Sequence, residues 1–258
     1  MIVELTRRME REFTDLQGRH GRKKSRFCLC EGVRCCGEVL ASGARKDIVL
    51  AVTSSKLREE FELNDIDHAI VDDEKLQKLS GTITSQGILL LVKRPPVEPE
   101  HFPPPSDPFI LAVDKLGDPG NFGTILRTAR AAGLTEFWYT AGSSDAYAPK
   151  VTRSALGAQF GMILREFPDL EALKAFAAKC GFKNVYLTDP HTGESCFECA
   201  GLFDKSVVVI GSEAHGIDSN MAGNRVTIPM PGNFESLNAA QAATIVLFEH
   251  VRRITSKE

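Results

Sequence analysis

Apolar residues near the start of the chain fall at Leu5, Met9, Phe13 and Leu16, intervals of three and four that place them on one face of a helix. Beyond them RFCLCEG reads as a short strand, VRCCGEVLAS as a helix and DIVLAVT as a second strand. SKLREEFE continues the helical period, HAIVDD and GILLLVKR are strand-like, and DEKLQKLS lies between them as a helix. The alternation predicts a small α/β sandwich over residues 1–93. It ends in KRPPVEPEHFPPPSDP, where seven prolines in residues 93–108 leave too few backbone donors for regular structure and predict a stiff linker over 94–107.

The pattern changes after the linker. PFILAVDKL is a continuous apolar run of the kind buried on both faces of a parallel sheet. A Gly/Pro turn then opens GDPGNFGTILRTARAAGL, a helix with Ile125, Ala129 and Ala132 on one face and Gly133 placed to end it, and EFWYT completes a βαβ unit. LEALKAFAAKCG predicts another helix, KNVYLTD, SVVVIGSE and RVTIPM predict strands, and residues 237–253 predict a long terminal helix. Residues 108–258 are therefore expected to form a mostly parallel α/β domain, so the fold class is α/β throughout.

Length and composition agree with a globular protein: 258 residues, 43% hydrophobic and 25% charged, are enough for a large core without covalent staples. No run reaches the roughly 18 apolar residues of a membrane span, and the start MIVELTRRMEREF lacks the apolar segment of a secretory signal. The seven cysteines form no disulfide framework and fit a reducing compartment, so the chain is expected in the cytoplasm. Cys196 and Cys199 make a lone CFEC, short of the four ligands a structural zinc takes, and are expected to be ordinary thiols with no metal.

Charge is more informative in its distribution than in its total of −3. Residues 7–26 hold eight Lys/Arg against three acids, the footprint of a phosphate-backbone contact or, equally, of a solvated basic helix. Arg22, Lys23, Lys24 and Arg26 are the candidates for that phosphate contact within it.

Open α/β sheets bind ligands at the carboxyl ends of their strands, which directs attention to the loops after Val113, Ile210 and Met230. These read DPGNFG followed by Arg127, GSEAHGID, and PGNFESLN. None is a dinucleotide fingerprint or a Walker loop, and singly each is compatible with an ordinary turn.

Taken in order, DPGNFGTILRTARAAG, VVVIGSEAHGID and VTIPMPGNFESLNAAQAATIVLFEH resemble the three successive motifs of the SpoU/TrmH class of SPOUT methyltransferases. KVTRSALGAQF, residues 150–160, resembles the segment between the first two motifs, and GRKKSRFCLCEGVRCCGEVLAS resembles the start of the L30e-like substrate-binding domain carried by rRNA ribose methyltransferases. The resemblance implies a homodimer, a trefoil knot in the C-terminal domain, and S-adenosylmethionine as methyl donor for a ribose 2′-hydroxyl of structured RNA, with 23S-type rRNA the expected substrate. It implies cofactor contacts at Gly211, Ser212, Glu213, Ile228, Met230, Ser236 and Leu237, and catalytic roles for Asn121, Arg127, Glu213, Ser236 and Asn238. The chain departs from the family in carrying Ala214 and Ala239 where glycine and valine are frequent. A tRNA ribose methyltransferase and a non-catalytic RNA-binding or ribosome-assembly protein of the same fold are the alternatives, and the missing glycine fingerprint argues against a Rossmann-type nucleotide enzyme.

Overall fold

The computed structural model describes residues 1–212, 216–232 and 234–256. The chain opens with α1 (Arg7–Gln17) and α2 (Arg19–Lys24), then β1 (Phe27–Glu31), α3 (Val33–Ala41), β2 (Ile48–Ser54), β3 (His68–Val71), α4 (Asp73–Leu79) and β4 (Ile88–Lys93). After the proline-rich stretch come β5 (Phe109–Val113), α5 (Pro119–Ala131), β6 (Glu136–Thr140), α6 (Pro149–Ser154), β7 (Ile163–Phe167), α7 (Leu170–Lys179) and β8 (Asn184–Thr188). The two-residue β9 (Glu194–Ser195), β10 (Ser206–Ile210), β11 (Asn224–Thr227) and α8 (Ala239–Thr255) complete it. The chain divides into two compact units, Met1–Pro95 with Asp145–Gly161, and Pro96–Ser144 with Met162–Glu258.

The first unit is built on a four-stranded sheet ordered β1-β4-β2-β3, antiparallel except for the β2–β3 pair. Phe13 and Leu16 of α1 meet Leu29, Leu50, Val52, Leu76, Leu79, Leu89 and Leu91 in one core, so the helical spacing read from the sequence is the buried face. SKLREEFE forms only a 3-10 turn at Arg58–Glu60 where the spacing predicts a helix. The turn ends at Phe61, whose backbone is extended (φ −122°, ψ 129°), and Arg45 holds the chain in that course by taking the Glu62 carbonyl at 2.6 Å and the Asp65 carboxylate.

Residues 145–161 follow the linker in sequence yet pack within the first unit. Asp145 accepts from Arg22 and from Arg94, each at 3.0 Å, and Arg153 pairs with Glu31 at 3.1 Å. Gly157 sits at φ +78°, and a Cβ there would lie 3.1 Å from the Cys35 carbonyl, so a left-handed turn and a close approach both call for glycine.

The second unit carries a seven-stranded, all-parallel sheet ordered β7-β6-β5-β10-β8-β11-β9. Its central strands are buried along their whole length, the expected consequence of helices on both faces. Trp138 anchors the core beside Phe167, Phe176 and Phe182. The fully buried Arg165 pairs with Glu136, which also accepts from Trp138 Nε1 at 2.5 Å, and donates to the carbonyls of Pro99 and Pro103. The proline-rich stretch, which forms one 3-10 turn at Pro99–His101 where the prolines predict no regular structure, is thus pinned to this unit through the carbonyls of Pro99 and Pro103.

Candidate active site

At the carboxyl ends of β8, β10 and β11, neighbours in the sheet, the second unit encloses a cavity of about 380 Å³. Its wall is formed by the loop after β8 (Thr188, Asp189, Pro190), the end of β10 (Ile210, Gly211, Ser212), Gly216 and Ile217, Ile228 and Met230 beyond β11, and the approach to α8. The volume falls in the range of small-molecule sites, and the position is where parallel sheets hold ligands.

Gly211 is demanded by space. A Cβ there would meet the Gly216 carbonyl carbon at 2.5 Å and the Ile217 nitrogen at 2.8 Å, because the chain folds back on itself where Ser212 bridges Gly216. All the described residues anticipated as cofactor contacts line this one cavity: Gly211, Ser212, Ile228, Met230, Ser236 and Leu237. Glu213 lies outside the described residues.

Asn238 closes the approach to α8. Its Oδ1 accepts from the backbone nitrogens of Ala240 (2.9 Å) and Gln241 (3.3 Å), capping the helix, while its Nδ2 donates to Asn121 Oδ1 at 3.1 Å. Asn121 stands in the first turn of α5, where the Asp118 carboxylate accepts from its backbone nitrogen at 2.7 Å. Two segments 117 residues apart are thereby joined side chain to side chain. Ser236 is exposed, and its hydroxyl makes no hydrogen bond among the described residues. Arg127 is also exposed, on α5 and outside the cavity wall, with no ion pair among the described residues. The structure therefore gathers Asn121 and Asn238 at the edge of the pocket and leaves Arg127 exposed, without an ion pair among the described residues.

Sequence reasoning did not include the loop after β8. Asp189 is its notable member: its Oδ1 accepts from the backbone nitrogens of His191 (2.9 Å) and Thr192 (2.8 Å). Burial pushes this carboxyl upward, but those bonds, with Arg225 nearby, outweigh it and hold the group below its ordinary value. The cavity wall thus includes a fixed negative charge. The signal was available in KNVYLTD, a strand with its own carboxyl end, but only sheet order shows that β8 lies between β10 and β11.

The cationic candidates of the first unit separate into two groups. Arg22 is drawn into the fold: besides Asp145, it donates to the carbonyls of Leu16 (3.3 Å) and Gln17 (2.9 Å), and its side chain is only 12% exposed. Lys23, Lys24 and Arg26 are exposed, and Arg26 lies over the Phe27 ring at 5.1 Å. The CFEC pair is buried beneath α8, with Arg253 donating to the carbonyls of Cys196 and Cys199, each at 2.7 Å. Burial pushes the Cys196 thiol up to about 11 and raises Cys199 as well.

Residues 108–248 match the SpoU rRNA Methylase family, and residues 11–90 match the MRM3-like substrate binding domain. The rRNA methyltransferase 3, mitochondrial, of Mus musculus is 29% identical, over 97% of this chain and 73% of that protein. The 23S rRNA (guanosine(2553)-2'-O)-methyltransferase RlmP of Bacillus subtilis is 27% identical, over 94% of this chain and 95% of that protein. Among solved structures, a TrmH-family protein from Porphyromonas gingivalis superposes with a TM-score of 0.84 at 27% identity, covering 97% of this chain and 100% of that one.

Proposed function

This chain belongs to the SpoU rRNA methylase family, and on that ground we propose that it methylates a ribose 2′-hydroxyl in 23S-type rRNA with S-adenosylmethionine as donor. The observation that carries the reading is the convergence of Gly211, Ser212, Ile228, Met230, Ser236 and Leu237 on one cavity at the carboxyl ends of the parallel strands. The cavity suits that donor: Ile210, Ile217, Ile228 and Leu237 supply apolar wall, Gly211 leaves backbone open to approach, and the ionised Asp189 offers an acceptor for hydroxyl or ammonium groups. When bound, S-adenosylmethionine supplies an electrophilic methyl on sulfur.

The chain's own residues must position the attacking oxygen and manage its proton. Arg127, without a carboxylate partner among the described residues, has its planar fork available for a phosphate beside the target ribose. A guanidinium stays charged at physiological pH, so Arg127 favours the oxyanion electrostatically while a phosphate oxygen or water receives the proton. Asn121 and Asn238 fix the edge of the pocket through their mutual hydrogen bond.

The working enzyme is proposed to be a homodimer with a trefoil-knotted cofactor domain in a reducing compartment such as the cytoplasm. Exposed apolar side chains on α8, Phe248 (48%) and Ile254 (50%), support the first. A cavity whose wall gathers residues within 188–190, 210–217 and 228–242, with the chain doubling back where Ser212 bridges Gly216, supports the second, and seven free cysteines support the third.

The test is transfer of labelled methyl from S-adenosylmethionine to unmodified ribosomal and transfer RNA, followed by digestion to nucleosides. Label in a 2′-O-methyl nucleoside of rRNA, lost in Arg127→Ala, is the expected result. Label in a base, or label confined to tRNA, would refute the assignment.

A further inference from the structure

A second cavity, of about 570 Å³, lies wholly within the first unit. Glu31 and Gly32 at the end of β1, Val33, Arg34 and Cys35 of α3, Thr82, Thr84 and Gln86 before β4, and Arg153 with Leu156 form its wall. The matched substrate-binding segment stops at residue 90, so Arg153 and Leu156 come from outside it.

The cavity is built around a buried charge. Glu31, 3% exposed, accepts from Ser80 Oγ, from Thr82 Oγ1 at 2.8 Å, from the Gly81 nitrogen at 3.3 Å and from Arg153 Nη1 at 3.1 Å. Such a carboxylate is costly to bury without its cation, so Arg153 is held at the wall while its side chain stays 31% exposed. Arg34 is exposed and has no ion-pair partner among the described residues. Gln86 spends its Oε1 on the Val33 nitrogen at 3.0 Å, fixing the rim, and Gly32 at φ +95° turns the chain beneath it. One carboxylate against two guanidiniums leaves the pocket cationic, and Val33, Cys35 and Leu156 give it an apolar surface beside the charge.

An apolar slot next to unneutralised guanidinium is the complement of an unstacked nucleotide, whose base face is apolar and whose phosphate takes an arginine fork. We propose that this cavity receives one unpaired nucleotide of the RNA substrate, with Arg34 and Arg153 on its phosphate and Val33 and Leu156 against its base. The inference rests on the reading of the chain as an RNA enzyme, and it assigns a second RNA contact in the first unit, made up of residues separate from the cofactor pocket.

Two full-length variants test it, both at exposed rim positions: Arg34→Ala, and Thr84→Trp, which fills the slot and keeps both arginines. Filter binding of radiolabelled 23S-type rRNA transcript across a salt series is compared with calorimetric binding of S-adenosylmethionine and with methyl transfer. Each variant is expected to bind rRNA about tenfold more weakly with unchanged cofactor affinity; Arg34→Ala lowers the salt slope by about 1, and Thr84→Trp leaves it unchanged. Variants that bind rRNA within twofold of wild type overturn the proposal even if wild type transfers methyl. Wild type that transfers no methyl but shows these binding losses upholds the nucleotide site and refutes the enzymatic reading. Wild type that retains no rRNA overturns both. Uridine 5′-monophosphate serves as a separate probe: micromolar binding abolished by both variants, with rRNA affinity unaltered, overturns the RNA assignment in favour of a free-nucleotide site.

Discussion

Asn238 does two separable jobs, and substitution can divide them. Asn238→Ala removes the cap on α8 and the bond to Asn121. Losing the cap costs about 1 kcal/mol, and losing a largely exposed neutral hydrogen bond adds about 0.5 kcal/mol, giving about 1.5 kcal/mol in all. For a unit of this size, that lowers Tm by about 3 to 6 °C. Asn238→Ser keeps a capping oxygen but is too short to reach Asn121, so it costs about 0.5 kcal/mol and lowers Tm by about 1 to 2 °C. Thermal unfolding by circular dichroism measures this half of the argument. Labelled methyl transfer at saturating cofactor measures the other: if the Asn121–Asn238 pair orders the edge of the pocket, both variants lose at least tenfold in turnover, although one is nearly as stable as wild type. Full activity in Asn238→Ser would reduce the residue to a helix cap. Equal stability of the two variants would show that the cap contributes nothing measurable.

Other perturbations have equally definite outcomes. Arg127→Lys keeps the charge and loses the planar fork, so it should retain little transfer; near-wild-type turnover would sink the fork argument. Arg22→Gln should destabilise the protein by about 1 to 3 kcal/mol in urea unfolding, because it leaves Asp145 and two carbonyls short of a donor, whereas neutralising Lys23, Lys24 and Arg26 together should spare stability and lower the rRNA salt slope by about 3. Gly211→Ala forces a Cβ to within 2.5 Å of backbone and should weaken cofactor binding at least tenfold by calorimetry. Glu249 is held at about 2, chiefly by its hydrogen bonds from Arg252, with burial opposing and Arg253 adding. Its folded value lies below the unfolded one, so it stabilises the fold by about 2 to 3 kcal/mol above pH 4.5 and loses that contribution as pH falls toward 2. The Tm gap between wild type and Glu249→Gln should close over that window, and a gap independent of pH would refute the assignment.

Much of this molecule was legible along the chain. The helical spacing of Phe13 and Leu16, the unbroken apolar runs of β5 and β10, and the glycine after α5 are local statements about which residues avoid water and which tolerate a positive φ, and they hold whatever the rest of the chain does. The residues that the resemblance singled out, Gly211, Met230 and Leu237 among them, line one cavity, because they stand beside strand ends and a helix start that local pattern marks. What escaped was pairing between distant segments. Strand order is a property of the whole sheet, so nothing in KNVYLTD announces that Asp189 will share a wall with Ser236. A basic run does not reveal which of its members will find a carboxylate, and Asp145, 123 residues away, removed Arg22 from the exposed set while leaving Lys23 and Lys24 in it. In the same way SKLREEFE had helical spacing, but the backbone turns extended at Phe61 and Arg45, from elsewhere in the chain, holds the Glu62 carbonyl beyond it. Composition and periodicity determined the α/β class and most of the helices and strands; tertiary structure alone decided that residues 145–161 join the first unit, which charges were satisfied and which cavities closed, because a buried charge answers to whichever partner the fold brings within reach.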